Sequence, residues 1–389
     1  MASNTWAVRP IKAVYEGLFD GPHATPAPAS SGPVFLGIKN VTDDGQLDLR
    51  ELRHIAEEDY AKWTKRVEPR EGDLVFTYEA TLNRYALIPP GFRGCLGRRM
   101  ALIRVDRKKV DPRFLLYYFF SDEWRAVIRR NMLTGATVDR IPLTTFPDFP
   151  VRVPPLPVQQ RIAGILSAYD DLIENSQRRI KILEAMARAL YREWFVHFRF
   201  PGHESFPRVP SPLGEIPLGW EVKKLGEVLE LNYGKALKKE DRRDGEYPVF
   251  GSSGIVGTHD TSLVEGPGII VGRKGNVGSV FWCDDDFFVI DTAYIVTSSL
   301  PLRFLFYVLP TLNFINSDAA VPGLSRNQAY SLEIFVPPTP LLEKFAELAG
   351  TFERQAGILQ RQIRNLRRTR DLLIPRLLSS DVALQDATP

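Results

Sequence analysis

The chain has 389 residues, room for two or three domains, and its 44% hydrophobic and 25% charged residues are ordinary for a globular protein. A formal net charge of +3 does not by itself announce a nucleic-acid binder, and 28 Gly with 30 Pro fall short of a low-complexity composition. Two distant cysteines, Cys95 and Cys283, argue against a disulfide framework or a zinc site and point to a reducing cytoplasm. No run of 18 apolar residues offers a membrane span, and the N-terminus, with Trp6 and no apolar run, is not expected to carry a signal peptide.

Residues 1–152 read as a first globular segment of mixed α and β character. Asp20-Gly21-Pro22-His23 leads into a surface loop at residues 24–32. Residues 34–39, 73–78 and 100–105 alternate or run apolar like strands, and 111–130 reads as one or two helices. Asp111 is placed to cap the first of these, with Pro112 at its first position. Residues 153–200 form a long helix behind a proline pair, and 201–219, rich in Pro and Gly, read as a linker. A second segment at 220–335 is heavy in strands and glycine turns. Its 301–309 echoes 114–120. A second long helix at 336–380 and a tail at 381–389 complete the chain.

The two long helices are copies of one plan. A shift of 183 positions carries Val153-Pro154-Pro155 onto Val336-Pro337-Pro338, Pro157 onto Pro340 and Leu183 onto Leu366 without a gap. Apolar residues of the first copy fall at Leu166, Tyr169, Ile173, Ile180, Leu183, Ala187, Leu190 and Trp194, with Ser176 as a polar break. The matching seam of the second is Ala349, Phe352, Ala356, Leu359, Ile363, Leu366, Leu373 and Leu377, broken by Arg370. Spacings of three and four are those of a coiled coil. Two unrelated amphipathic helices are the alternative, but identical phase favours a mutual pair. The order domain, helix, domain, helix makes the pair antiparallel, with pseudo-symmetric domains at its two ends. From Leu166 to Trp194 a straight helix spans roughly 43 Å at about 1.5 Å per residue.

Signatures of catalysis are missing from the sequence. There is no GxxxxGK[ST], no HExxH and no Asn/Asp-Pro-Pro-Tyr, and 272–278 (GRKGNVG) lacks the order of a dinucleotide loop. Glu221-Val222-Lys223 has the outline of a nuclease's Glu-x-Lys, without an upstream Asp to complete a metal site. The expected chain is therefore non-catalytic, holding neither cofactor nor metal. What remains is recognition. In the first segment Asp20, His23, Arg84, Arg93, Arg98, Arg99 and Arg140 (after Thr134-Gly135-Ala136-Thr137) are the candidates. In the second they are Lys235, Lys238, Lys239, Arg242, Arg243, Ser252, Ser253, Arg273, Lys274, Asn276 and Arg326. Cations on glycine turns can approach phosphates, and Arg, Ser and Asn can read base edges; each alone is also explained as ordinary solvated surface. Arg361, Arg364, Arg367 and Arg368 fit a polar helix face. The aromatic run 191–200 (YREWFVHFRF) suits either packing on the second domain or a surface for a partner protein.

These residues carry a likeness. The duplicated proline-headed heptad helix resembles the conserved regions of the specificity subunit of Type I restriction–modification systems. So do WFVHFRFPG (194–202), leading to Leu218-Gly219-Trp220, the stretches YPVFGSSGIVGTHD (247–260), GRKGNVGSV (272–280) and FFVIDTAY (287–294), and the tail LIPRLL (373–378). The chain departs from that pattern after the prolines, where Glu-Gln is common and Gln159-Gln160 and Leu342-Glu343-Lys344 stand here. The resemblance implies an α+β fold: two target recognition domains separated by an antiparallel two-helix coiled coil. Each domain would read half of a bipartite double-stranded DNA target. The helices would act as a ruler matching half-sites about 34–36 Å apart. Two modification subunits per chain would supply S-adenosylmethionine-dependent adenine-N6 methylation, and restriction subunits the ATP- and Mg-dependent translocation and cleavage. A coiled-coil scaffold whose domains bind proteins is the alternative function.

Overall fold

A computed structural model describes residues 6–135, 138–314 and 323–379. The predicted tail at 381–389, and Ala136 and Thr137 of the first segment's last loop, lie outside the described residues. The chain forms two compact units, one holding residues up to 175 together with those from 362 onward, the other residues 176–361. Each contains one globular domain and one half of each long helix.

The first domain contains β1 (Ala7–Pro10), β2 (Tyr15–Asp20), β3 (Ala29–Leu36), β4 (Arg53–His54), β5 (Leu74–Thr77), β6 (Tyr85–Leu87), β7 (Gly94–Leu96), β8 (Met100–Val105) and β9 (Pro150–Val153). β1 pairs with β9; the remaining strands form a sheet in the order β2-β8-β5-β6 and another in the order β4-β3-β7. The interior strands β5 and β8 are buried on both faces and mostly apolar, Arg104 of β8 being half-buried and paired with Asp73. Two helices, Pro112–Phe119 and Asp122–Asn131, provide part of that cover. The Asp111 side chain accepts the Arg113 and Phe114 N–H groups, the predicted cap, and Ser121 caps the second helix at Trp124 N. The fully buried Trp124 stacks on Phe119 at 4.5 Å, and its indole N–H donates to Tyr85.

The second domain follows a short hairpin, β10 (Arg208–Ser211) and β11 (Gly214–Pro217). Its own strands are β12 (Glu221–Lys224), β13 (Leu229–Tyr233), β14 (Tyr247–Gly251), β15 (Gly254–His259), β16 (Gly268–Gly272), β17 (Val280–Cys283), β18 (Phe288–Val289), β19 (Ala293–Ser298) and β20 (Glu333–Val336). The first domain's plan recurs strand for strand: β12 pairs with β20, one sheet runs β13-β19-β16-β17 and the other β15-β14-β18. The faint echo at 301–309 is the helix Leu302–Val308, whose Arg303-Phe304-Leu305 and Tyr307 repeat Arg113-Phe114-Leu115 and Tyr117.

The long helices are Leu156–Tyr191 and Thr339–Leu378, each beginning directly behind its proline pair. On the first helix Leu166, Ile173, Ile180 and Ala187 are buried, and on the second Ala356, Leu359, Ile363 and Leu377. Tyr169, Leu183, Leu190, Phe352, Leu366 and Leu373 are half-buried, and both polar breaks, Ser176 and Arg370, are buried. In the first unit Leu166 shares a cluster with Leu377 and Leu378 while Asp170 pairs with Arg370 at 2.6 Å, so the helices run antiparallel. In the second unit the rings of Tyr191 and Trp194 meet Phe345, near the other helix's start.

One expectation changes, and one choice left open is decided in favour of packing on the second domain. Residues 201–219 are not an open linker, because β10 and β11 fold back on each other and bury Ile216 against Phe200 and Trp220. The aromatic run is core: Tyr191, Trp194, Phe195, Phe198 and Phe200 are buried with Trp220, Phe304 and Phe345. The first long helix widens into a π turn at Arg192–Val196, and Phe198, at φ 59°, reverses the chain into that core.

Candidate nucleic-acid interface

Equivalent strands of the two domains end at equivalent places, and most of the cationic candidates gather there. In the first domain Asp20 ends β2 opposite Ala101, and Gly21 N donates to the Met100 carbonyl at 2.8 Å. In the second Tyr233 ends β13 opposite Tyr294, and Gly234 N donates to the Ala293 carbonyl at 3.3 Å. The next strand matches too: Tyr78 N bonds Arg99 O as Arg273 N bonds Thr292 O. A third segment closes both edges, Ile141 N on Tyr78 O and Leu324 N on Arg273 O. Asp20 thus corresponds to Tyr233, Tyr78 to Arg273, Glu79 to Lys274 and Arg99 to Thr292. Glycine is required at both corners, since a Cβ on Gly21 would lie 2.2 Å from the Gly97 carbonyl oxygen and one on Gly234 2.3 Å from that of Ile290.

At the first edge the side chains form an ion network. Asp20 accepts from Arg66 Nη1 at 2.5 Å, and its other oxygen lies 3.1 Å from His23 Nε2. Arg99 Nε pairs with Glu79 at 3.0 Å, and the Glu79 backbone forms an isolated bridge with that of Arg140. Arg99 holds φ 69°, a left-handed conformation that costs a non-glycine residue about 1 kcal/mol. Arg98 and Arg99 border a groove of about 1000 Å³ with Lys39, Arg50 and Arg53, in which Arg50 grips Asp48 through two bonds of 2.9 and 2.7 Å. Arg84 stands apart, half-buried and donating to Val41 O at 3.2 Å. Arg93 is taken up by Glu57, whose carboxyl it holds below the usual range, and lies over the Tyr60 ring.

The second edge replaces that network with a stack. The Arg273 and Arg326 guanidinium carbons lie 4.7 and 4.6 Å from the Tyr233 ring centre, and Arg273 is 5.8 Å from that of Tyr294. Arg273 Nη1 donates to Asp291 O at 2.9 Å. Lys274 and Asn276 are exposed on the same glycine turn, and Ser252 joins it: its carbonyl accepts from Ser279 Oγ at 2.6 Å and its N–H meets Thr292 Oγ1 at 3.4 Å. Lys235 follows Gly234, its N–H on Val289 O, and exposed Lys238 precedes a short turn at Lys239–Asp241. Not every candidate joins. Ser253 opens on a groove of about 640 Å³ beside Leu183, Ala187 and Phe352. Arg242 and Arg243 are spent on the β14–β15 hairpin, at Val256 O and Asp260. Tyr233, Arg66 and Glu79 were missed in the sequence, because only strand pairing places them beside the cations.

Both domains clamp the long helices alike. Tyr117 donates to Asp170, and Tyr307 donates to Glu353 at 2.8 Å; the repeat's shift carries Asp170 onto Glu353. Burial first, then the adjacent carboxylate, pushes both phenols far above their ordinary value, so they remain donors. Burial opposes the charge on Arg370, yet its bonds to Asp170 and Asp371 raise its pKa. Arg367 reaches Asp44 at 3.3 Å. Gln159 is fully buried, donating to Lys109 O and Pro154 O and accepting from Asp111 N. Its repeat partner, Leu342, is buried and apolar.

A profile of the Type I restriction modification DNA specificity domain matches this chain twice, over residues 34–185 and 217–366, well over half its length. The chain belongs to that family. Among relatives of the family, the Type I restriction enzyme MjaIX specificity subunit of Methanocaldococcus jannaschii is 24% identical over 362 residues, covering 86% of this chain and 83% of that one. The putative type I restriction enzyme MjaX specificity subunit of the same organism is 23% identical, covering 98% and 94%. The Type-I restriction-modification system S subunit from M. genitalium shares the fold, with a TM-score of 0.60 at 17% identity and 96% of each chain covered. One match falls on each domain together with part of the long helix that follows it; the first begins beyond β2. Among the described residues no helix is long and apolar enough to cross a membrane.

Proposed function

We propose that each domain reads one half of a bipartite duplex-DNA target through the strand-end edge just described, and that the chain brings modification subunits, two per copy, to that target. The chain itself performs no chemistry in this reading. S-adenosylmethionine belongs to the modification subunits, ATP and Mg to restriction subunits, and the assembly works in the cytoplasm. The observation that carries the proposal is the pair of topologically matched edges, both rich in cations and glycine-cornered, whose side chains differ. A shared scaffold with different readers suits two different half-sites. The cations at each edge would contact phosphates and give a salt-dependent affinity, while Arg, Ser and Asn offer base readout. The length of the paired helices is proposed to set the spacer.

The test is a shift assay with random and selected duplexes at several salt concentrations, beside a capture experiment free of nucleic acid. Specific retardation of a bipartite sequence is expected; protein capture without any duplex binding would favour the scaffold reading. Removing four residues from both helices should then change the spacer and leave the half-site bases alone.

A further inference from the structure

We propose that Arg273 reads a guanine in the second half-site and that Tyr233 is the residue that positions it. The inference rests on the DNA-recognition reading and deepens it by naming a base. Arg273 is held in three ways: Nη1 is bonded to the Asp291 carbonyl at 2.9 Å, and the guanidinium carbon lies 4.7 Å from the Tyr233 ring centre and 5.8 Å from that of Tyr294. Stacking uses the face of the guanidinium. Its five in-plane N–H donors form a rigid fork; one of them, on Nη1, is spent on Asp291, and a two-point contact draws on the others. An arginine that only neutralises phosphate gains little from such fixation, whereas one that must present two parallel donors gains a great deal, because its rotamers are restricted before the duplex arrives.

The base follows from the donors. Guanine alone offers two acceptors, N7 and O6, side by side in the major groove; adenine pairs an acceptor with a donor, cytosine offers a donor and thymine an acceptor beside a methyl group. Arg326 lies over the same ring at 4.6 Å, so two cations converge where Tyr233 is 48% exposed. Their mutual repulsion favours an electronegative guest, and the guanine edge is the most electronegative of the four. Among the described residues, Tyr78 stands in the position of Arg273 and Asp20 in that of Tyr233, so this reader belongs to the second domain.

The experiment selects bound duplexes from a pool randomised across both half-sites, using the full chain assembled with its modification subunits. The unaltered protein is expected to select guanine at one position of its second half-site. Arg273→Lys keeps the charge but loses the fork, and Tyr233→Leu loses the ring; each should weaken the guanine preference about tenfold or more at that position. Tyr233→Phe keeps the ring face and should stay within about twofold of the parent. First half-site selection, read in the same pool, stays unchanged and shows the variants folded. The proposal is overturned if the second half-site contains no guanine, if Arg273→Lys retains the preference, or if affinity falls alike for all sequences with a shallower salt slope. Failure of the unaltered protein to select any sequence would instead defeat the DNA reading on which the proposal rests.

Discussion

The two domains share strand order, pairing and glycine corners, yet they solve two problems differently. At the strand-end edge, the first domain balances its cations with carboxylates, Arg66 on Asp20 and Arg99 on Glu79, while the second places Arg273 and Arg326 over Tyr233. At the helix clamp a tyrosine hydroxyl meets a helix carboxylate in both, but the neutralising arginine differs. Arg370, from the second long helix, serves Asp170; Arg303, from the domain's own short helix, serves Glu353. A scaffold is thus held by backbone hydrogen bonds and apolar packing, which tolerate exchange of the polar groups around them. Each side chain at an edge or clamp depends on whichever element the fold brings within about 3 Å.

Several substitutions probe the contrast. Arg370→Ala should have the largest effect on stability, about 3 kcal/mol, because it removes a guanidinium only 9% exposed and strands the Asp170 carboxylate; Arg303→Ala, which removes one 22% exposed beside an equally buried Glu353, should cost about 1–2 kcal/mol. Urea unfolding followed by tryptophan fluorescence measures both, and equal losses would show that the clamps do not differ in this way. Gly21→Ala and Gly234→Ala each force a Cβ against a carbonyl oxygen and should cost about 2–3 kcal/mol. Each should also abolish reading of its own half-site only, as selection from a randomised duplex pool would reveal.

Tyr117→Phe and Tyr307→Phe remove one hydrogen bond to a charged group apiece, and each should cost about 1.5 kcal/mol with DNA selection unaltered. Arg99→Gly should be nearly neutral for stability, within about 1 kcal/mol, since relief of its left-handed backbone offsets the lost Glu79 pair. Its mark should instead be weaker binding to the first half-site, measured by titration against a duplex that varies only there. A marked loss of stability with unchanged affinity would remove Arg99 from the edge.

The seam was legible because burial of one helix face imposes a period that survives in the residues themselves. Ile173, Ile180, Leu359 and Ile363 could be picked out, as could Asp111 as a cap, whose hydrogen bonds span two and three residues. The hairpin at 208–217 was hidden, since its strands are four residues each and sit among prolines that read as linker. The aromatic run 191–200 left packing on the second domain and a partner surface equally open, because a core is assembled from distant segments and Phe304 and Phe345 had to be brought to it.

The sequence by itself determined the duplication, the order of domains and helices, the phase of the seam and the turns where cations collect, all properties of local period and turn chemistry. Tertiary structure alone decided that Tyr233 stands beneath Arg273 and Arg326, that Asp20 faces Arg66, and that Arg370 rather than a domain residue neutralises Asp170. Those pairings join residues 40 to 200 positions apart. Charge and aromatic faces act over a few ångströms of space, and only the pairing of strands and helices turns such separations along the chain into contact.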